Sequence, residues 1–398
     1  MLLGQPALSS AERCVFQGTF GSGAVPGPSP RMQPMALQSL SELERASLQE
    51  LALFRLQERL LVGHAFPFSH VSPDCCPHTF GIPLSQVIAN DRACRQLQEA
   101  VGKSRRLCLE VEATVTRFRA QRHRRLGAMS VDSITDLSDN ASKLLEALQL
   151  SHPHELEPRR SRGKKQPLSL NPISWQVPRI VDRCCTHLEM HGLQTVGIFR
   201  VGSSKKRVQQ LREEFDRGLD VFLDEHQSVH DVAALLKEFL RDMPDSLIPR
   251  ELYGAFLSTA TMEGQAQLDT LQLLLFLLPP CHSDTLLRLL RFLGRVARHA
   301  ERSWDAEGHE IPGNKMTASN LATVFGPNIL QKEKPREKDA LNLEDSAAII
   351  LVLQRLIEHH HSLFMVSPEM QCDVLRRLFQ TDPDVIEYLL RRKSPALP

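Results

Sequence analysis

The hydrophobic pattern from residue 167 onward predicts helices and almost no strands. Apolar residues recur there at spacings of three and four, and period-two alternation is nearly absent. Pro178 lies near the start of one predicted helix and Gly192 just after its end, while Ser228 and Asp231 open another as a capping box. We therefore expect residues 167–366 to form one all-α domain, a helical bundle of about 200 residues, which is enough for a proper core.

Two further segments of this region carry helix signals. The segment TASNLATVFGP is predicted to begin a helix at Thr317 and to break it at Gly326 and Pro327. The most apolar run, residues 271–280, spans about half the length that a membrane-crossing helix needs. We interpret this run as a buried helix that stops at two consecutive prolines.

The N-terminal part of the chain has a different character. Residues 1–36 are rich in Gly, Pro and Ser and are predicted to be disordered. Residues 37–158 form an extension of mixed helix and loop. Within it the pattern predicts a helix at residues 37–62 and a loop-like stretch at 63–90. It also predicts a strand at 107–115, with a helix as the alternative, and a second helix at 131–150.

A basic segment separates this extension from the helical domain. The sequence RRSRGKK at 159–165 holds five basic residues in seven and is flanked by Pro158 and Pro167. We place the main boundary at a linker of residues 159–166. A solvated linker is favoured over a localisation signal or a peripheral contact with lipid. After the domain, residues 367–398 are predicted to form a helical tail.

Composition narrows the function classes. The 398 residues carry a net charge of +1, with 42% hydrophobic and 24% charged residues, so no global field favours nucleic acid or a membrane surface. The nine cysteines form no C-x-x-C pair, which is typical of reduced thiols rather than of disulfides or a zinc site. No G-x-x-x-x-G-K-S/T phosphate loop is present, and the N-terminus lacks signal-peptide features. We expect a cytoplasmic protein with no cofactor or metal of its own.

Arg200 is the first candidate functional residue. It ends a short apolar run, lies between Phe199 and Val201, and precedes Gly202 in a loop that leads into a helix. No acidic residue lies nearby in the sequence to pair with it. We expect an exposed, unpaired guanidinium; the alternative is an arginine that packs its stem and meets a distant acid.

Lys237 and Arg241 form the second candidate. They are four residues apart on one flank of a predicted helix, where like charges are mildly unfavourable. A bound anion or an acidic partner would remove this penalty. The alternative is two solvated cations, paired with acids such as Glu238 or Asp242.

Asn320 is the third candidate. It precedes Leu321 in a predicted helix, where asparagine is unfavourable unless its amide makes specific contacts. The amide could hold a neighbouring loop through hydrogen bonds to backbone groups. The alternative is an asparagine that is tolerated because it lies close to the helix start at Thr317.

Three sequence blocks occur in a specific order: GIFRVGSSKKRVQQL, VHDVAALLKEFLRDMPDSLIP and NKMTASNLATVFGPNIL. Together they closely resemble the three signature blocks of the Rho GTPase-activating (RhoGAP) domain. The resemblance spans residues 167–366, about half of the chain. It implies a RhoGAP-type helical bundle that accelerates GTP hydrolysis by a GTP-bound Rho-family small GTPase.

The resemblance also implies roles for individual residues. Arg200 matches the catalytic arginine finger, Lys237 and Arg241 match residues that support the finger loop and contact the GTPase, and Asn320 matches an asparagine that holds that loop. Asn328 is a second contact residue. GTP and Mg²⁺ would belong to the partner GTPase, and regulation of the cytoskeleton, with recruitment to membrane or actin, would be the cellular setting.

Two departures and two alternatives accompany this expectation. Ser246 stands where the family often has a proline, and the order Gly202-Ser203 replaces the commoner Ser-Gly; both bear on rate and partner preference. One alternative is a RhoGAP-fold binding or scaffold module without catalysis. The other concerns the basic segment 117–130, which resembles a basophilic kinase substrate or pseudosubstrate with Ala128 or Ser130 near the acceptor position.

Overall fold

The computed structural model describes part of the chain. The described residues are 33–60, 78–96, 98–99, 168–304, 306–332, 343–381 and the three positions 385, 386 and 389. Several sequence predictions lie outside them: the strand or helix at 107–115, the basic segment 117–130, the helix at 131–150, the linker 159–166 and most of the tail beyond 381.

Helices make up most of the described structure. In chain order they are α1 (Glu42–Leu60), α2 (84–96), α3 (Arg179–His191), α4 (Lys205–Asp216), α5 (Val229–Asp242), α6 (Tyr253–Ser258), α7 (Gly264–Leu277), α8 (Pro280–Arg298), α9 (Ala318–Ile329), α10 (Leu343–Leu363) and α11 (Pro368–Thr381). Short 3₁₀ turns lie at Leu37–Ser39, Arg250–Leu252 and Thr259–Thr261. The prediction of an all-α fold is confirmed.

The described residues contain four two-residue strands, which form two antiparallel pairs. They are β1 (Met35–Ala36), β2 (Ser303–Trp304), β3 (Glu310–Ile311) and β4 (Met365–Val366). β1 pairs with β4, and β2 pairs with β3 as a small hairpin between α8 and α9. The prediction of disorder for residues 1–36 is therefore wrong for Met35 and Ala36, whose backbone pairs with that of β4.

Helix α1 begins later than predicted, because a capping box marks its start. The Ser41 hydroxyl accepts a hydrogen bond from the Glu44 backbone N–H at 3.2 Å, and the Glu44 carboxylate accepts one from the Ser41 backbone N–H at 2.9 Å. The predicted helix over 37–62 is thus a 3₁₀ turn followed by α1.

The predicted loop at 63–90 is also corrected, because α2 occupies its end. Pro83 precedes the first helical residue, and its carbonyl oxygen accepts hydrogen bonds from the backbone N–H groups of Gln86 and Val87. Three apolar residues at helical spacing, Leu84, Val87 and Ile88, are buried.

Helix α9 does not break where the sequence suggested. Thr317 caps its N-terminus as predicted, but the helix continues through Gly326 and Pro327 to Ile329. Pro327 removes one hydrogen bond close to the helix end, where the loss is small. A Cβ on Gly326 would lie 2.7 Å from Ile349 Cγ2 of α10, so this glycine serves close helix packing rather than helix termination.

The predicted bounds of α3 and α5 are confirmed, but the predicted capping box of α5 is wrong. Pro178 precedes α3 and Gly192 follows it, and α5 runs from the residue after Ser228 to Asp242. The Ser228 side chain makes no capping hydrogen bond, and Asp231 points instead toward the loop before α4.

The hydrophobic core is continuous through the described residues. Helix α7 and its C-cap residue Leu278 contribute the buried stretch Leu271–Leu278 apart from Gln272, as predicted for this apolar run. Within the part of the chain that the structure describes, no helix is both long and apolar enough to cross a membrane.

Described residues from both ends of the chain share this core. Helix α1 packs against α7 and α11, and β1 pairs with β4. Arg45 of α1 and Asp284 of α8 form an ion pair at 3.9 Å in which both side chains are buried. The sequence predicts that residues 37–158 and 367–398 are separate from the helical domain. In the structure, the described parts of both segments pack onto that domain. The boundary at 159–166 stays a prediction.

Candidate functional site

The loop between α3 and α4 turns Arg200 outward by turning Phe199 inward. Gly197 has φ = 69° and Phe199 has φ = 72°, and a bulky residue in this left-handed region is strained. The Phe199 ring is 4% exposed and makes edge contacts with Phe292 at 6.0 Å and Phe325 at 4.9 Å between ring centroids. This aromatic anchor offsets the strain, and the next side chain, Arg200, is exposed.

Lys237 supports the same strained residue from α5. Its Nζ donates a hydrogen bond to the Phe199 carbonyl oxygen at 2.7 Å. Burial and the neighbouring Arg241 lower the pKa of Lys237 below its usual range. Lys237 is therefore half-buried and directed at the loop, so the alternative of a freely solvated cation is wrong for this residue.

Arg200 has a neutral partner. Its Nη2 donates a hydrogen bond to Asn320 Oδ1 at 3.1 Å. Within the part of the chain that the structure describes, Arg200 makes no ion pair, so the alternative of a distant acidic partner is not realised there. A hydrogen bond to an amide holds the guanidinium in place at a lower cost of release than a carboxylate would impose.

Asn320 meets both of the expectations drawn from its sequence. Its backbone N–H donates to Thr317 Oγ1 at 3.3 Å, as expected near a helix start. Its Nδ2 donates to the Lys315 carbonyl oxygen at 3.0 Å while its Oδ1 accepts from Arg200. Lys315 has φ = 62°, so Asn320 ties the second strained non-glycine residue of the described chain to Arg200.

Lys237, Arg241 and Asn328 come together in one groove. The groove has a volume of about 580 Å³, and its lining also includes Ser203 and Lys205 from the start of α4. The Arg241 side chain is 63% exposed and forms an ion pair with Asp242, with 4.0 Å between Nε and Oδ1. The alternative of a solvated cation paired with Asp242 therefore describes Arg241, although not Lys237. Asn328 donates from Nδ2 to the Val324 carbonyl oxygen of its own helix at 2.9 Å.

Direct contacts link the predicted residues to one loop and one groove. Arg200 donates to Asn320, and Lys237, which lines the groove with Arg241 and Asn328, donates to the carbonyl oxygen of the residue before Arg200. An exposed guanidinium beside a cationic groove can bind anionic oxygens of phosphate or carboxylate groups.

Asn314 is an organising residue that sequence reasoning missed. Its side chain is fully buried, donates from Nδ2 to the carbonyl oxygens of Leu193 at 2.8 Å and Val296 at 2.9 Å, and accepts at Oδ1 from the Met316 N–H at 2.8 Å. Its carbonyl oxygen accepts from the Gly197 N–H at 3.0 Å. No periodic pattern marks such a residue, because its partners come from three separate parts of the chain.

Asp231 is predicted from the sequence as part of a capping box of α5, but in the structure it binds the loop before α4. It is buried, and its Oδ1 accepts a hydrogen bond from the Ser204 backbone N–H at 2.7 Å. Ser204 in turn caps α4 by accepting from the Arg207 N–H at 3.4 Å. Asp231 thereby fixes the end of the loop that carries Arg200.

The described residues contain no cluster of three His, Cys, Asp or Glu side chains placed to hold a metal ion. The expectation that any nucleotide and Mg²⁺ belong to a partner stays a prediction.

Comparison with known proteins defines the class of this chain. A family model described as the RhoGAP domain matches residues 178–334, a range that contains all five predicted residues. The chain is 40% identical to Rho GTPase-activating protein 36 of Bos taurus, over 93% of this chain and 79% of that protein. It is 49% identical to Rho GTPase-activating protein 6 of Mus musculus, over 95% of this chain but only 44% of that protein.

The chain therefore belongs to the Rho GTPase-activating protein family. The resemblance drawn from the three sequence blocks is confirmed, and the relatedness extends beyond the RhoGAP domain into the N-terminal part of the chain. The chain spans less than half the length of the mouse relative.

Proposed function

We propose that this chain accelerates GTP hydrolysis by a Rho-family small GTPase in its GTP-bound state, with Arg200 inserted into the partner's nucleotide site. The observation that carries the proposal is the state of Arg200: an exposed guanidinium on a firmly anchored loop, held by an amide. Membership of the Rho GTPase-activating protein family supports the class of partner.

The physical basis is the charge that develops during phosphoryl transfer. A guanidinium supplied from outside stabilises negative charge on the transferring γ-phosphoryl and the β–γ bridge, and such fingers raise the rate by about 10³–10⁵. This range corresponds to about 4–7 kcal/mol of activation free energy. The GTP and its Mg²⁺ are the partner's.

Preorganisation makes Arg200 suited to this task. The buried Phe199 ring and the Lys237 hydrogen bond fix the backbone before a partner arrives, so little order has to be created on docking. Arg200 exchanges a neutral hydrogen bond with Asn320 for contacts with phosphate oxygens. Val196 and Val201, which are 46% and 52% exposed beside it, offer apolar contact at the same surface.

The groove supplies the docking surface in this proposal. Arg241 and Asn328 face an acidic or polar surface of the GTPase, while Lys237 both lines the groove and holds the finger loop. Positive charge at a docking surface raises the association rate with a negatively charged partner.

Single-turnover GTP hydrolysis by a panel of Rho-family GTPases tests the proposal. The wild-type chain is expected to accelerate at least one of them, and Arg200→Ala to remove most of that acceleration. Arg217→Ala is a matched control, because Arg217 is 68% exposed at the far end of α4, and it should behave as the wild type. Binding to the GTP-loaded form without acceleration by the wild-type chain would contradict the proposal and favour a binding module.

A further inference from the structure

A segment outside the region matched by the RhoGAP family model is fastened to α4. The backbone N–H groups of Thr79 and Phe80 donate to Asp216 Oδ1 at 2.8 and 2.9 Å. The Thr79 hydroxyl donates to the Phe215 carbonyl oxygen at 3.0 Å. These bonds join two stretches separated by more than 130 residues at the C-terminal end of α4.

Phe80 lies between α4 and α5. Its side chain is 6% exposed, and its ring makes an edge contact with Phe239 of α5, with 5.7 Å between centroids and 83° between planes. The guanidinium carbon of Arg212, on α4, lies 4.4 Å from the Phe80 ring centroid. This is a cation–π arrangement that fixes where the Arg212 guanidinium sits.

Arg212 in turn engages two acids of α5. Its Nη1 bonds Glu238 Oε1 at 2.5 Å and also bonds Asp242 Oδ2. On the same helix these acids are the immediate neighbours of Lys237 and Arg241, and Glu238 also lines the groove. Arg241 has a longer contact with the same acid, an ion pair of 4.0 Å from its Nε to Asp242 Oδ1, and its side chain stays 63% exposed.

We propose that Phe80 is a positioning residue for partner binding: its ring holds Arg212 on Glu238 and Asp242, and this keeps the Arg241–Asp242 ion pair long and the Arg241 side chain exposed to an anionic surface of the GTPase. The inference rests on the function proposed above. Without the aromatic face, Arg212 has solvent as an alternative position. Asp242 can then draw Arg241 into a closer ion pair, and Glu238 brings uncompensated negative charge into the groove.

Phe80→Leu in the full chain tests this role, because leucine keeps an apolar side chain and removes the aromatic face. The concentration of chain that gives half-maximal acceleration should rise about three- to ten-fold, the range expected for a partly desolvated cation–π contact and its ion pairs. The maximal rate should stay within about two-fold of the wild type, because Arg200 is untouched.

A charge rescue separates positioning from a general structural effect. In the Phe80→Leu background, Asp242→Asn removes the acid that competes for Arg241, so the half-maximal concentration should return toward the wild-type value. Phe54→Leu is the matched control, since Phe54 is 54% exposed on α1, and it should leave the titration unchanged. If Phe80→Leu lowers the melting temperature, Arg212→Gln serves as the second variant, because it removes the contact between Phe80 and Arg212 from the side of α4. It should give the same rise in the half-maximal concentration.

Unchanged half-maximal concentrations for both Phe80→Leu and Arg212→Gln would overturn the inference. A rise that Asp242→Asn does not reverse would also overturn it, because the loss would then come from packing alone. The same titration read as equilibrium binding to the GTP-loaded GTPase keeps the test independent of catalysis. Failure of the proposed finger would appear differently, as an Arg200→Ala variant with undiminished maximal rate.

Discussion

Phe199 holds a backbone conformation that bulky side chains rarely adopt, and its surroundings keep it there. Two aromatic rings contact its side chain, and Lys237 Nζ donates a hydrogen bond to its carbonyl oxygen. Strain of this kind costs about 1–3 kcal/mol and persists only when neighbouring contacts over-determine it. The result at this single residue is a defined direction for the next one, Arg200.

The neutrality of Asn320 leads to a prediction at the same scale. Asn320→Asp would place a carboxylate where Arg200 now meets an amide oxygen, and a partly exposed ion pair of this kind holds a guanidinium by up to about 1 kcal/mol. The maximal single-turnover rate should therefore fall further for Asn320→Asp than for Asn320→Ala, which loses the hydrogen bonds without adding charge. An equal or larger loss in Asn320→Ala would show that neutrality is unimportant.

Helix packing around α9 sets the positions of groups that contact the loop carrying Arg200. Gly326 lets α9 approach α10, and Phe325 of the same turn packs on Phe199. A change in the α9–α10 spacing would therefore move Phe325 and disturb its contact with Phe199 in the loop between α3 and α4.

Gly326→Ala tests this close approach. The added methyl group would overlap Ile349, and overpacking in a filled core costs about 1–3 kcal/mol of unfolding free energy. Gly254→Ala is the matched control in α6, where a Cβ would meet no atom within 4 Å; it should stabilise by up to about 1 kcal/mol through helix propensity. Urea unfolding of both variants gives the comparison, and equal stabilities would refute the packing argument.

Sequence patterns predicted some elements well and others poorly, for physical reasons. The ends of α3 and the start of α9 follow from proline, glycine and threonine signals that act within a few residues. Asn314 and Phe80 escaped notice because their partners lie far away in the chain, and Asp231 was misread because a local cap and a tertiary contact use the same residue type. Arg200, Lys237, Arg241 and Asn320 are marked by unfavourable local positions in the sequence, whereas their roles, and Asn328, come only from the order of the three blocks.

At the scale of the whole molecule, histidines packed into the fold set a sensitivity to acid. Burial lowers the pKa of His187, His282 and His360 from the usual 6.5, with His191 adding to the effect on His187 and with His361, Arg291 and Arg298 adding to that on His360. Their folded-state pKa values lie below those of the unfolded chain. The unfolded state therefore binds protons first as the pH falls, and stability is lost from about 6.5 downward.

Urea unfolding at pH 7.5, 6.5 and 5.5 should thus show a decreasing free energy of unfolding. His282→Gln should reduce this dependence, because one of these three rings is removed, whereas His226→Gln should not, since His226 is 85% exposed. Burial raises the pKa of Asp91 and Asp284 above their usual value of 3.8. Protonation of these two carboxyl groups therefore favours the folded state as the pH falls toward 3.8, which is opposite in sign to the effect of the histidines. A free energy of unfolding that is constant over this pH range would contradict the account.

The central claim is that Arg200 acts on the transition state rather than on ground-state binding. Its most direct measurement compares the affinity of wild type and Arg200→Ala for the partner GTPase in two states, one loaded with a non-hydrolysable GTP analogue and one with GDP and a metal fluoride that mimics the transferring phosphoryl group. The account predicts nearly equal affinities for the first state and a large loss by Arg200→Ala for the second, because the developing charge exists only there. Equal losses in both states would show that Arg200 is a docking residue and would contradict the claim.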